Sequence, residues 1–240
     1  MRNIFLVLTL LAASVVAGHS AAAQTSDFQW SGAVDRDKAI EVRGVNGSIR
    51  AVASDDGVVH VEATRRARRS DPESVRIDVV QHEDGVTVCA VYPDPPASRP
   101  MNDCRPGGGG VNVQNNDVRV DFVVRVPAGI RLIANTVNGD IRAEGLRSDV
   151  QAATVNGPVN IQTDGFVSDV STVNGNIALE LPADLNATIH ATMVNGRVES
   201  EFPIAVTGRI DRRNLRGTIG GGGRDLSIRT VNGSIHLRPR

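Results

Sequence analysis

Lysine is nearly missing from this chain of 240 residues: Lys38 stands alone, and arginine supplies the rest of the 26 basic side chains. With 27 acidic residues against them the formal charge is −1, so there is no bulk positive field of the kind that holds nucleic acid. Aromatic residues make up 3 %. Beyond residue 23 they are Phe28, Trp30, Tyr92, Phe122, Phe166 and Phe202, too scattered for a platform on which bases or sugars stack. No Gly-x-Ser-x-Gly elbow is present. The glycine run at Gly107 to Gly110 lacks the Lys-Ser/Thr and helix that a phosphate loop needs. His60, His82, His190 and His236 fall at no metal-ligand spacing. Neither a catalytic residue nor a cofactor or metal site is expected from these residues.

Cysteine is equally sparse, with Cys89 and Cys104 as the only pair. In an exported chain an even pair reads as a disulfide. It would close a loop of about 15 residues and contribute roughly 3 kcal/mol if unstrained. Export is itself suggested by the start of the chain. Arg2 is followed by an apolar stretch from Ile4 to Val16 and by Ala21-Ala22-Ala23 before Gln24. This is the three-part pattern of a secretory signal, and the apolar run is short for a membrane span. No Cys follows the cleavage point to carry a lipid, and no later apolar run could cross a bilayer. Residues 1–23 are therefore expected to be a signal peptide. Their removal takes the formal charge from −1 to −2, since Arg2 is lost and no acid goes with it.

What the chain has in abundance is one short phrase. Thr-Val-Asn-Gly stands at 136–139, 154–157, 172–175 and 230–233, Met-Val-Asn-Gly at 193–196, and Val-Asn-Gly alone at 45–47. The corner residues are thus Asn46 and Gly47, Asn138 and Gly139, Asn156 and Gly157, Asn174 and Gly175, Asn195 and Gly196, Asn232 and Gly233. The second residue after each Gly is Ile or Val: Ile49, Ile141, Val159, Ile177, Val198 and Ile235. Neighbouring copies are 92, 18, 18, 21 and 37 residues apart. The last step, near twice 18, suggests a degenerate copy at Thr218-Ile219-Gly220. A second phrase, Ser-Asp-Val or its like, recurs between copies with Asp149, Asp169, Asp184 and Asp225. Self-similarity of this kind marks a repeat architecture.

Around the phrases, apolar residues alternate at period two, as in half-buried strands. Examples are Leu132, Ala134, Thr136 and Ile189, Ala191, Met193. No stretch has a helical period. Residues 24–39 read as a polar lead-in with Phe28 and Trp30 as packing anchors, and 40–240 as a single β-repeat domain. Within it, 93–117 is rich in Pro, Gly and Asn, has no apolar periodicity, and is expected to be a surface loop tied by the disulfide. The basic cluster at 64–69 reads as a solvated strand end balanced by Asp71, Glu73 and Asp78, or alternatively as a patch for an anionic surface.

The expected fold is all-β, and two arrangements fit. In a β-solenoid, similar to a parallel β-helix, each Val-Asn-Gly is a corner between two faces, and like residues of stacked coils form ladders. In an antiparallel meander or sandwich, each Asn-Gly is a two-residue hairpin turn needing positive φ, and Thr154 would face Val159. The solenoid accounts for the recurrence of the same Thr-Val-Asn, so it is the expected fold.

Val126-Pro-Ala-Gly-Ile-Arg-Leu132, the Thr-Val-Asn-Gly-Asp-Ile series, Leu181-Pro182 and Gly217-Thr-Ile-Gly-Gly-Gly-Gly223 together resemble the DUF4097 family of bacterial adhesin-like proteins, over roughly residues 40 to 240. The resemblance implies an exported β-repeat domain with no catalytic residues to carry over. Two functions of different class then stand. One is a non-enzymatic envelope or surface protein, in the periplasm or on the cell surface, binding an envelope protein or polysaccharide through repeat β faces, or serving envelope stress signalling. The other is a carbohydrate-active β-helix enzyme with Asp149, Asp169 and Asp184 as its acids, holding Ca²⁺. Recurrence of those acids at one corner fits Asx turns better than a unique site.

Overall fold

The computed structural model describes residues 24–96, 101–109, 111–206 and 213–240. The expected signal peptide, 1–23, lies outside the described residues. The described chain is all-β, with nineteen strands in two mixed sheets of nine and ten and a single 3-10 turn at Pro72–Ser74.

Along the chain, β1 (Gln24–Gly32) comes first, then β2 (Ala39–Arg43) and β3 (Ile49–Ser54) on either side of Asn46-Gly47. β4 (Val59–Ala67), β5 (Arg76–His82) and β6 (Gly85–Val91) follow, and β7 (Arg119–Pro127) resumes after the Pro/Gly-rich stretch. The regular series is β8 (Arg131–Asn135), β9 (Ile141–Leu146), β10 (Val150–Ala153), β11 (Val159–Thr163), β12 (Val167–Asn174) and β13 (Ile177–Leu181). The C-terminal part holds β14 (Ala187–Asn195), β15 (Val198–Ser200), β16 (Ile204–Val206), β17 (Asn214–Ile219), β18 (Arg224–Asn232) and β19 (Ile235–Pro239).

Every Val-Asn-Gly carries the chain from the ten-stranded sheet into the nine-stranded one, so the two strands flanking it belong to different sheets. A hairpin would pair those strands with each other. Instead Val159 pairs in parallel with Ile141 and Ile177, while Ala152 pairs in parallel with Ala134 and Val170. Thr154 therefore does not face Val159, and the repeat does not build a meander. Antiparallel pairing is confined to the ends of the sheets: β1 on β4 and β4 on β7, β5 on β6, and β16 on β17 on β14.

With each pair of consecutive strands, one in either sheet, termed a coil, the spatial order of these pairs is not the chain order. The nine-stranded sheet runs β1-β4-β7-β3-β9-β11-β13-β19-β15 and the other β16-β17-β14-β18-β12-β10-β8-β2-β6-β5. The coil β2/β3 thus lies between β6/β7 and β8/β9, and the last coil, β18/β19, slides between β12/β13 and β14/β15.

Alternation produces the core. Inward residues of the two sheets face each other, and the Ile or Val two places after each corner Gly forms one column. Ile49, Ile141, Val159, Ile177 and Ile235 pair in sequence and are at most 1 % exposed. Phe122 extends the column at one end, beside Ile49. Full burial of each such side chain contributes about 1.5–3 kcal/mol.

Three sequence expectations change. Residues 24–32 of the polar lead-in form the edge strand β1, from which Phe28 and Trp30 pack against the core as anchors. Its alternation is masked by polar residues because only one face meets protein. Thr218-Ile219-Gly220 is not a degenerate corner: Thr218 and Ile219 close the antiparallel strand β17, and Gly220 begins the turn into β18. The Asp phrases do not stack. β12 begins early and carries a register shift against β10, so Asp169 lies beside Gln151, not Asp149.

Candidate functional site

The six corner asparagines form one exposed column in the order Asn46, Asn138, Asn156, Asn174, Asn232, Asn195. Five of the six Nδ2 groups donate to the Oδ1 of a neighbouring coil, at 2.8 Å (Asn138 to Asn46), 2.7 Å (Asn156 to Asn138), 2.7 Å (Asn174 to Asn156), 2.8 Å (Asn232 to Asn174) and 2.8 Å (Asn195 to Asn232). An amide carries one acceptor and two N–H donors, so it can bond the coils on both sides and keep one N–H over.

The glycines stack even more closely. A Cβ on Gly139, Gly157, Gly175 or Gly233 would lie 1.8, 2.2, 2.0 or 1.9 Å from the carbonyl oxygen of the glycine before it in the stack. On Gly47 it would meet the Val120 carbonyl at 2.0 Å, and on Gly196 the Gly233 carbonyl at 1.9 Å. Positive φ is not the common reason for glycine here. It occurs at Gly47 (135°), Gly157 (158°) and Gly196 (151°), but not at the other three corners. The shared requirement is room for the next coil's backbone.

Thr completes the corner. The Oγ1 of Thr136, Thr154, Thr172 and Thr230 donates to the carbonyl of Gly47, Gly139, Gly157 and Gly175 at 3.0, 2.9, 2.9 and 3.1 Å. All four are buried. The outermost copy has Met193 at this position and the first has Gly44, so the hydroxyl bond is made only inside the stack.

Beside the column stands the loop between β6 and β7. It takes the place of a corner at the coil next to Asn46. Cys89 and Cys104 are joined, with Cα atoms 5.6 Å apart. Buried Asn102 donates to the carbonyls of Tyr92, Pro93 and Asn112 and accepts from the Asn112 N–H. Glu41, 4 % exposed, bolts the loop to β2: its carboxylate accepts from the Gly107 N–H at 2.9 Å and Thr87 Oγ1 at 3.0 Å, and pairs with Arg43 at 3.1 Å. Sequence inspection did not single out Glu41, because the partners that make it a buried charge lie 46 and 66 residues away. Tyr92 Oη donates to the Val118 carbonyl across the loop's base at 2.8 Å. Burial pushes its phenol up to about 12, with Asn46 pulling it down.

The loop borders two troughs on the outer face of the ten-stranded sheet. One, of about 510 Å³, lies between Val111 and Gly107 of the loop and Val45, Val137, Val155 and Val173 of the corner column. The other, of about 620 Å³, is lined by Glu41, His82, Arg131, Gln151, Asp169 and Arg229 among others.

The remaining candidates do not converge. Asp149 accepts from the Phe166 N–H at 2.8 Å and from Arg224 at 2.6 Å, and Asp169 pairs with Arg229 at 2.6 Å. These are contacts between coils, not Asx turns. Among the described residues no group of three or more His, Cys, Asp or Glu is arranged to hold a metal ion. His60 bonds Asp56 and Ser31, His82 bonds Thr87, His236 bonds Glu199, and His190 lies 3.8 Å from Asp225. The basic cluster is pinned at several points. Arg65 pairs with Glu73, Arg66 with Asp121, and Asp117 accepts the backbone N–H groups of Arg68, Arg69 and Ser70. Asp78 pairs instead with Arg76. Asp56 is held well below the usual carboxylate range by hydrogen bonds from Ser54, His60 and the Val58 N–H. No helix among the described residues is long and apolar enough to cross a membrane.

A family model described as Toastrack DUF4097 matches residues 110–238. A candidate cell adhesion protein of Clostridium sporogenes ATCC 15579 is 13 % identical; the alignment covers 90 % of this chain and 100 % of that one, with a TM-score of 0.61. At that identity the likeness shows a shared fold. A candidate adhesin of Bacteroides fragilis NCTC 9343 is 10 % identical over 88 % of this chain and 97 % of its own, with a TM-score of 0.34. No curated protein matches the chain.

Proposed function

The chain belongs to the Toastrack DUF4097 family, and from that premise we propose a non-enzymatic, exported, adhesin-like protein that binds another macromolecule through its repeated surface. In this reading the coil stack is a short β-solenoid turned at Val-Asn-Gly corners, and the polypeptide acts in the periplasm or on the cell surface after loss of residues 1–23. The observation that carries the reading is that its exposed side chains recur instead of converging. An active site is a unique cluster of acids, bases and donors in a cleft. Here two of the three acids considered for catalysis, Asp149 and Asp169, are each engaged by an arginine of another coil, while Val, Asn and Gly repeat in register across six coils. The names of the structural neighbours point the same way, and the disulfide suits an oxidising compartment.

The test is export followed by binding. Expressed with its own N-terminus, the chain is expected outside the cytoplasm, starting at Gln24, oxidised at Cys89 and Cys104, and retained saturably by envelopes of the native cell. A cytoplasmic, reduced product that envelopes do not retain would overturn the reading. Turnover of a polysaccharide abolished by Asp149→Asn or Asp169→Asn would replace it with the enzyme.

A further inference from the structure

At four of the six corners the Val before the Asn is an apolar side chain held in water, whereas Val45 is buried in the core and Val137 packs against it. Val155, Val173, Val231 and Val194 are 37, 38, 38 and 49 % exposed. They account for most of the large exposed hydrophobics among the described residues, and Val111, 51 % exposed, faces the same trough from the loop. Core packing does not require these four, which stand exposed. Strand propensity does not require them either, because Thr serves equally well on an exposed strand position.

The surroundings define what could cover this ridge. The Asn column flanks it on one side, and Ala153, Thr154 and Ser171 line the trough on the other. The charges at the rim are already engaged, Arg43 with Glu41 and Asp103 with Arg105. The ridge is therefore neutral, and nothing on it would draw phosphate or carboxylate. It also lacks the aromatic and Arg anchors around which protein interfaces concentrate their energy. What it offers is a period: one pair of methyls and one spare amide N–H per coil, advancing about 4.8 Å each time. The ladder and the close glycine stack fix that period before anything binds.

We propose that the Val/Asn ridge binds an extended, uncharged polysaccharide laid along the stack. A β-linked hexose chain advances by nearly the same distance per ring as the coils do. Its C–H faces rest on the valines, and its hydroxyl groups bond the asparagine amides. The inference rests on the adhesin-like reading and names its partner class.

The oxidised mature chain is titrated with cello-, chito- and manno-oligosaccharides, from dimers to octamers, followed by backbone amide shifts. In at least one series the affinity is expected to rise with each added ring and to level off at about five, the number of stacked corners whose Val is not buried. The shifts should map to residues 137–138, 155–156, 173–174 and 231–232. The triple variant Val155→Ser, Val173→Ser, Val231→Ser should lose about tenfold or more in affinity with its melting temperature unchanged. Asn160→Ser, on the outer face of the other sheet, should bind as the native chain does. Absence of binding in every neutral series, binding that ignores chain length, or an unaffected triple variant would overturn the inference. So would salt-sensitive binding confined to acidic polysaccharides, or a dimer that the triple variant dissociates. If native envelopes retain the triple variant as well as the parent, the ridge inference fails and the adhesin-like reading stands. If they retain neither protein, both fall.

Discussion

The three central coils, β8/β9, β10/β11 and β12/β13, and the two ends of the stack are built from the same sequence phrases but are held by different physics. In the centre, each residue type contacts copies of itself. Asn bonds Asn, glycine backbone lies on glycine backbone, the Thr hydroxyl reaches the previous glycine, and Ile or Val packs on Ile or Val. Such columns have no natural stop, and an open parallel edge would recruit another chain. The ends supply the stop. Antiparallel strands cover three of the four sheet edges, with β4 and β1 beyond β7, β5 beyond β6, and β17 and β16 beyond β14; the fourth edge is β15, only three residues long. There the columns lapse, with Met193 for Thr and a disulfide-bound loop for a corner. Repetition gives the stack its regularity, and unrepeated devices give it a finite length.

The difference can be broken most forcefully at a glycine. Gly157→Val puts side-chain atoms where the Gly139 carbonyl already lies. It is expected to cost more than about 4 kcal/mol, or to prevent folding, as read from the urea midpoint. Gly57, at φ 75° with nothing within 4 Å of an added Cβ, is an end-region control. Gly57→Ala should cost about 1 kcal/mol.

Replacing Cys89 and Cys104 together by Ser should cost roughly 3 kcal/mol through the freed loop. Amide exchange at Gly157 and Gly175 is expected to stay as slow relative to global unfolding as before, because the loop touches the stack only at its end. Loss of protection throughout the centre would show that the two regions are not separable.

Tyr92 allows the end to be loosened by pH alone. Its folded value of about 12 lies above the ordinary 10.0, so the neutral phenol is favoured by folding. The associated stability is complete below pH 10 and falls as pH rises toward 12, by at most about 3 kcal/mol. As the chain's only tyrosine, it can be followed by tyrosinate absorbance, and Tyr92→Phe should abolish this alkaline loss.

The smallest expected effect is at a central hydroxyl. Thr154→Val keeps the shape but leaves the Gly139 carbonyl without its side-chain donor, at a cost of about 1 kcal/mol. Thr192→Val, exposed at the end, should change stability by less than about 0.5 kcal/mol.

The centre was legible in the sequence because its contacts repeat with the chain. Period-two alternation, the 18-residue step and the Ile or Val after each Gly pointed to the residues that now share columns. The ends were not legible, for the same reason. A repeated phrase says which residues are equivalent but not which copies are neighbours. Nothing in it indicates that Asn46 lies against Asn138, 92 residues on, or that the last coil is inserted before the one preceding it. The Asp phrases were misleading because a register shift in β12 moves one of them out of line. Asn-Gly reads locally as a hairpin turn needing positive φ, whereas the demand for glycine comes from a neighbouring coil that local sequence does not contain. Glu41 and the β1 edge strand depend likewise on distant partners.

The most direct test of the stacked corner column is a set of paired cysteines at its exposed asparagines, made in the chain with Cys89 and Cys104 oxidised. Cysteines at neighbouring positions fall within the Cα separation a disulfide tolerates, whereas positions two coils apart, at nearly 10 Å, do not. The pairs Asn174→Cys with Asn232→Cys and Asn232→Cys with Asn195→Cys are expected to oxidise within the monomer, and Asn174→Cys with Asn195→Cys to stay reduced. Ready closure of the third pair, with failure of the first, would place the copies in chain order and contradict the account, the second pair being adjacent in either order.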